Sequence, residues 1–171
     1  MILLVLLIAC GEEKVKPDVI DLTEEKIPTQ ESWNDTIYFS QSGKLQATLT
    51  TTHLKVYEDE RLKLLDSVKV EFYDKNGKVN STLKANKGRI NDTKNEFTAF
   101  GNVRLAGSEG RKLFTEKLTW NPKTEKIYSD TKVKIFDGDE IIEGAGFVSD
   151  KDLTNYVIRK IFVIKSNLNK H

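Results

Sequence analysis

The chain has 171 residues and a net charge of +1, from 27 Lys and Arg against 26 Asp and Glu. That balance excludes a dedicated nucleic-acid binder, which would carry a strongly basic face. The length is enough for one domain with a real core, and an apolar fraction of 38% fits a core that is shallow or one-faced.

Residues 1–10, "MILLVLLIAC", are a greasy run that ends in the only cysteine. A lone Cys makes no intrachain disulfide. It follows Leu-Ile-Ala, small residue last, and acidic residues come directly after it. This is the pattern of a bacterial lipobox, with a signal peptide ending before Cys10 and Cys10 as the lipid-modified first residue of the mature protein. The run falls short of the roughly 20 apolar residues that span a bilayer. A secreted protein with an incidental, unmodified cysteine is the alternative. Residues 11–36 carry Glu, Lys, Asp, Pro17 and Pro28 and few large apolar side chains. They bury too little to offset their ordering entropy and read as a flexible tether. As a coil it reaches about 30 Å, and extended about 80 Å; a short helix near residues 19–26 is the other reading.

From Ile37 the pattern changes to period two, the signature of half-buried strands. "SVKVEFYDKNGKV" puts Val68, Val70 and Phe72 on one face and Lys69, Glu71 and Tyr73 on the other. Asn76-Gly77 then offers the pair of positive-φ residues that a tight hairpin prefers. "STLKANKGRI" places Leu83 and Ala85 inward, "NEFTAFGNVRL" places Phe97, Ala99, Val103 and Leu105 inward, and "KVKIF" repeats the alternation with Val133 and Ile135. The expectation is an all-β domain over residues 37–165, with residues 166–171 as a C-terminal tail.

The chain also repeats itself. "LKANKGRINDTKNEFTAFGNVRL" and "LFTEKLTWNPKTEKIYSDTKVKI" align without a gap, so that Leu83 meets Leu113, Ile90 meets Trp120, Phe97 meets Ile127 and Val103 meets Val133. A weaker third copy starts at Ile142. Each copy reads as strand, turn, strand, and stacked hairpins of this kind give a long antiparallel sheet with one apolar face.

Nothing in the chain points to catalysis or a cofactor. The two histidines are His53 and His171, and no His, Cys and carboxylate cluster has metal-ligand spacing. Neither G-x-S-x-G nor H-E-x-x-H occurs, and the phosphate-binding G-x-x-x-x-G-K-[ST] is missing too. "DGDE" at residues 137–140 reads as a hairpin turn, since a calcium loop needs more oxygen ligands at fixed spacing.

Taken in order, "VKVEFYDKNGKVNSTLKANKGRI", "NEFTAFGNVRL", "LFTEKLTWNPKTEKIYSD" and "EGAGFVSDKDLTNYVI" resemble the LptC family of lipopolysaccharide export proteins, with "GNVRL", "LTWN…IYSD" and "GAGFVSD" the most characteristic pieces. LptA, the periplasmic bridge protein, shares the hairpin pattern. The resemblance implies a single twisted antiparallel β-jellyroll, an open sandwich with an apolar interior groove. It implies a membrane-anchored periplasmic component with no enzymatic activity and no cofactor. Such a component receives lipopolysaccharide from an inner-membrane ABC transporter and passes it to an LptA-like bridge protein. Well-known members use an N-terminal transmembrane helix; here Cys10 would serve as a lipid anchor on the periplasmic face of the inner membrane, with sorting to the outer membrane as the alternative. An LptA-like bridge role, or a structural lipoprotein that binds a protein partner without lipid, are the other readings.

The inward set supplies the candidate lipid groove: Val70, Phe72, Leu83, Ala85, Ile90, Phe97, Ala99, Val103, Leu113, Leu118, Trp120, Ile127, Val133 and Phe147. Plain core packing is the competing role for each. On the groove reading, Phe97→Asp leaves a folded domain that no longer contacts lipid. The family docks by strand addition, which makes Tyr38, Leu45 and Leu49 the candidate transporter edge. Tyr156, Ile158, Ile161 and Val163 are the candidate bridge edge. Gly43, Gly144 and Gly146 occupy glycine positions of the family pattern, and Gly-Ala-Gly within a strand suggests a bulge or close backbone approach.

Overall fold

The computed structural model describes residues 27–166. Cys10 and the signal segment, residues 11–26 of the expected tether with their alternative helix, and residues 167–171 of the tail lie outside the described residues.

Nine strands follow one another in antiparallel order: β1 (Gln30–Gln41), β2 (Lys44–Tyr57), β3 (Leu62–Tyr73), β4 (Val79–Asn91), β5 (Glu96–Gly107), β6 (Lys112–Asn121), β7 (Lys126–Asp137), β8 (Glu140–Asp150) and β9 (Tyr156–Ser166). They form one sheet in sequence order, with β1 and β9 as its edges. Strand β1 begins at Gln30, inside the stretch read as tether, and pairs with β2 from Gln30↔Val56 onward. The sequence hides it because an edge strand has one neighbour and needs no strict apolar alternation. The β3–β4 connection also differs from the expected two-residue hairpin. Only Gly77 takes a positive φ there, and Asp74 Oδ1 accepts the backbone N–H groups of Asn76 and Lys78 in a longer loop.

Each strand is interrupted near its middle, and the interruptions line up across the sheet. Asn34 in β1, Ser67 in β3, Gly101 and Asn102 in β5 and Gly146 in β8 have φ between +50° and +72°. The pairing skips residues at the same level between β4 and β5, β5 and β6, β6 and β7, and β7 and β8. Asn and Gly are the residue types that tolerate the left-handed region, and an aligned series of bulges bends a sheet. Carbonyls that lose their ladder partner at this crease are met by hydroxyls: Thr51 Oγ1 donates to Asp66 O at 2.6 Å, and Thr115 Oγ1 to Lys132 O at 2.8 Å.

The crease folds the sheet over on itself into two layers. One layer contains the strand halves on the side of Phe39, Phe72 and Ser81; the other contains the halves on the side of Phe97, Trp120 and Lys151. The layers meet at Trp120, whose ring is 5.0 Å from Phe39 and 5.0 Å from Phe72, edge-on to both. In the first layer one aliphatic row crosses every strand in register: Ile37, Leu49, Val70, Leu83, Leu105, Leu113, Ile135, Ile142 and Ile164. The second layer carries the row Ile90, Phe97, Trp120 and Ile127. The sequence repeat is thus the two-strand period of these rows: Leu83 and Leu113 share one row, Ile90 and Trp120 the other.

Two of the three singled-out glycines differ in what they do. A Cβ on Gly144 would stand 2.5 Å from the Lys160 carbonyl oxygen and 2.5 Å from Ile158 Cγ2, so β9 lies against bare backbone there. Gly43 sits in the β1–β2 turn at φ +75° with nothing within 4 Å. Gly144→Ala is therefore expected to lower stability by about 1–3 kcal/mol through overpacking, against about 1 kcal/mol of backbone strain for Gly43→Ala. Urea midpoints measure both, and a larger loss at Gly43 contradicts the close approach of β9.

Candidate functional site

The residues predicted to face inward do so together. All fourteen candidate groove residues are buried; Val70, Phe72, Leu83, Phe97, Ala99, Leu113, Leu118, Ile127 and Phe147 are fully so, and the most exposed, Ala85, is 8% accessible. They form one apolar cluster with Leu105, Ile135 and Ile142. The interior is thus a continuous apolar lining, and it is filled by the protein's own side chains. A Cβ on Gly88 would come within 2.8 Å of Phe97 Cε2, which shows how little free space remains. Phe97→Asp would therefore bury a charge without a partner and unfold the layer, so the sequence-based expectation of a folded Phe97→Asp domain does not hold.

The mouth of the sandwich, opposite the crease, is stitched by the β8–β9 turn. Lys151 is buried there; its Nζ donates to Gln46 Oε1 at 2.8 Å and lies 3.4 Å from Glu125 Oε2, while its carbonyl accepts from Ser81 Oγ at 2.6 Å. Leu153, 1% exposed and at φ +60°, inserts beside them, and its carbonyl accepts from Arg111 Nη1 at 3.2 Å. Burial pushes the Asp152 carboxyl up from its ordinary range, opposed by a hydrogen bond from Asn80 and the charge of Lys151. A lone Leu in "DKDLTN" gives no sequence signal that it is core.

Of the cavities that open to solvent among the described residues, three border the sandwich's mouth or its crease. One of about 510 Å³ lies where Phe39 and the β1–β2 turn face Asn95, Pro122 and Lys123 across the mouth. A second, about 600 Å³, lies between the β3–β4 loop and Glu125, Lys151 and Asp152. The third, about 520 Å³, follows the outer side of the crease beside Phe114 and Phe162.

The edges are only partly those expected. Tyr38 is on the edge strand β1 and 68% exposed. Leu45 and Leu49 are not on an edge: they belong to β2, which pairs with β1 on one side and β3 on the other, and Leu49 is fully buried. The turn at Ser42 and Gly43 divides what the sequence reading took as one strand. On β9, Ile161 is 50% exposed, as are Val157, Phe162 and Ile164 at 64%, 47% and 60%, while Ile158 and Val163 are half-buried. Long apolar edges invite a pairing strand, and the row that is buried at Ile142 surfaces at Ile164, on the open side of the last strand. Gly146 lies on the crease. Tyr156 is a structural tie rather than a free edge residue: its hydroxyl donates to Asp137 Oδ2 at 2.9 Å, and Arg111 Nε donates to Asp137 Oδ1 at 2.8 Å.

His53 stacks on Trp33 at 5.0 Å, with Glu31 and Asp66 at 3.2 and 3.5 Å from its ring nitrogens. No group of metal-binding side chains occurs among the described residues.

A creased, open-edged antiparallel sheet with an unbroken apolar interior defines an open β-jellyroll. The family model described as "Lipopolysaccharide-assembly, LptC-related" matches residues 1–158, and the chain belongs to that family, which is one of transport components and not of enzymes. Its work lies in lipopolysaccharide transport in the periplasm. Among solved structures it is similar to LptH of Pseudomonas aeruginosa, described as the LptA homologous periplasmic component of the lipopolysaccharide transport device. The identity is 11% and the TM-score 0.53, over 67% of this chain and 82% of that one. No curated protein matches the chain in sequence.

Burial, and then the hydrogen bond to Asp137, push the Tyr156 hydroxyl up to about 12. A folded-state value above the unfolded one of about 10 means stability that is complete below pH 10 and falls as pH rises toward 12. Tyr156→Phe is expected to lose less stability than the parent between pH 9 and pH 11, read as urea midpoints; equal losses would show that the tie is not made.

Proposed function

We propose that the chain is the membrane-tethered member of the export path. It takes lipopolysaccharide from an inner-membrane ABC transporter, holds the acyl chains between its two layers, and hands them to an LptA-like bridge protein. The observation that carries this reading is the aliphatic row, in register through nine strands from Ile37 and surfacing at Ile164 on an unpaired edge. Burying a CH₂ is worth about 0.8 kcal/mol, so a twelve-carbon acyl chain left in water costs about 10 kcal/mol. Transit needs apolar cover at every step, and a strand added to β9 would extend the row into the next molecule.

Because the interior is filled, cargo has to part the layers. That exchange replaces one hydrocarbon contact by another, and what it breaks is the polar stitching at Lys151 and the packing of Leu153. Binding of this kind is loose enough to release. The sequence has no G-x-x-x-x-G-K-[ST] motif, and on this reading the chain supplies the path while a partner hydrolyses ATP. Acylation of Cys10 would hold the tether to the periplasmic face of the inner membrane; two or more acyl chains anchor stably where one does not.

Ile164→Asp leaves a folded domain, because the side chain is exposed, and is expected to weaken capture of the bridge protein at least tenfold while transporter binding persists. Parallel loss of both, or of neither, contradicts the division of the two edges. Mass spectrometry of the native N-terminus should find acylated Cys10, and Cys10→Ala should move the protein to the soluble periplasmic fraction; an unmodified N-terminus favours the bridge role instead.

A further inference from the structure

The apolar interior contains a polar group that the fold leaves unmet. The Trp120 indole N–H is buried in a residue 1% exposed, and no described residue accepts from it. Buried donors without partners are few in native proteins and each calls for a reason. The other unmet atom, Asp152 Oδ1, belongs to a carboxylate at the rim that Asn80 and Lys151 attend. Trp120 has aromatic neighbours instead, with Phe39 and Phe72 each at 5.0 Å.

Phe39 connects this donor to the surface. It is half-buried, packs on the core, and also lines the 510 Å³ rim cavity. The rest of that cavity is mixed: Tyr38 and Pro122 stand beside the polar Ser40, Gln41, Gln46, Asn95 and Lys123. A mouth with amide, hydroxyl and ammonium groups among its lining, the Phe39 ring, and then a hydrogen-bond donor in an apolar space suit an amphiphile: head group, ester or amide carbonyl, hydrocarbon. The carbonyl of an acyl lipid stands within a few bonds of its head, and the Trp120 ring lies 5.0 Å from the Phe39 ring that lines the cavity.

We propose that Trp120 is the polar anchor of an acyl-binding site. Its N–H donates to the ester or amide carbonyl of a fatty-acyl amphiphile whose head stays in the rim cavity and whose chain passes Phe39 into the interior. Phe39 is the gate. This inference rests on the lipid-carrying reading and adds a chemical preference to it: the site distinguishes acyl chains from plain alkyl chains.

The test compares two probes of the same head and length, 1-myristoyl lysophosphatidylcholine and its ether-linked analogue, below their micelle concentrations on the full mature chain. The parent should bind the acyl probe about fivefold to tenfold more tightly, the worth of one hydrogen bond. Trp120→Phe, shown to be folded by its thermal transition, should bind the two equally. A parent that does not discriminate, or a variant that still does, overturns the proposal. Where Trp120→Phe does not fold, Trp33→Phe leaves Trp120 as the sole indole. The acyl probe should then shift its emission further to the red than the ether probe, and identical spectra overturn the proposal. Lipopolysaccharide titrated in parallel separates the two readings. Saturable binding without acyl preference removes the Trp120 anchor alone, and acyl preference without lipopolysaccharide binding removes the export role alone.

Discussion

The structure depends on one constraint: every strand must bend once, and all at the same level. A flat nine-stranded sheet of this composition would leave one face of Leu, Ile, Val and Phe in water. The crease turns that face inward and lets a single sheet act as both halves of a sandwich, as two separate sheets do elsewhere. It is built from residues that accept left-handed backbone, Asn34, Gly101, Asn102 and Gly146 among them. Thr51 and Thr115 cover the carbonyls that the bend uncovers. The signature fragments fall on it, since "GNVRL" opens on the β5 crease and "GAGFVSD" contains the β8 crease and the close approach of β9 to Gly144.

A folded sheet, unlike a closed barrel, keeps two edges. Among the described residues the outer backbone of β1 and β9 has no pairing strand, and the interior rows run out to the surface there, so that on the proposed function the hydrophobic path would continue through another chain. The same geometry makes a filled interior compatible with the proposed carriage of lipid. Its two layers are joined by the crease along one side and by a few polar contacts of the β8–β9 turn along the other. Undoing contacts such as Lys151 to Gln46 requires far less rearrangement than opening a core whose layers are covalently or barrel-closed. On the proposed function, exchange of core side chains for acyl chains would proceed between two hydrocarbon environments, where the free-energy difference is small.

Much of this was legible from alternation. The pleat sends successive side chains to opposite faces whatever the tertiary detail, and the fourteen residues expected to point inward are all buried. The ordered fragments gave the family. Alternation is silent where one neighbour is missing, which is why the polar "QESWNDT" of β1 read as tether. It is also silent about where a strand ends, so Leu45 and Leu49 were assigned to an edge although Gly43, already singled out, marks the turn between β1 and β2. Whether inward residues enclose space or fill it is a matter of how two layers approach, and no periodicity carries that. Leu153 and the unmet Trp120 donor are likewise products of contacts between distant parts of the chain.

The central claim is that lipid travels between the layers and not over the outer surface. Leu113 and Phe114 are neighbours in β6 on opposite faces, Leu113 fully buried and Phe114 paired with Phe136 on the outside at 5.5 Å. A small diazirine-bearing aliphatic residue placed at each position in living cells tests the claim directly. Light should crosslink lipopolysaccharide to position 113 and leave position 114 unlabelled. Labelling confined to position 114 would mean that the interior is only a core and that the lipid path lies elsewhere.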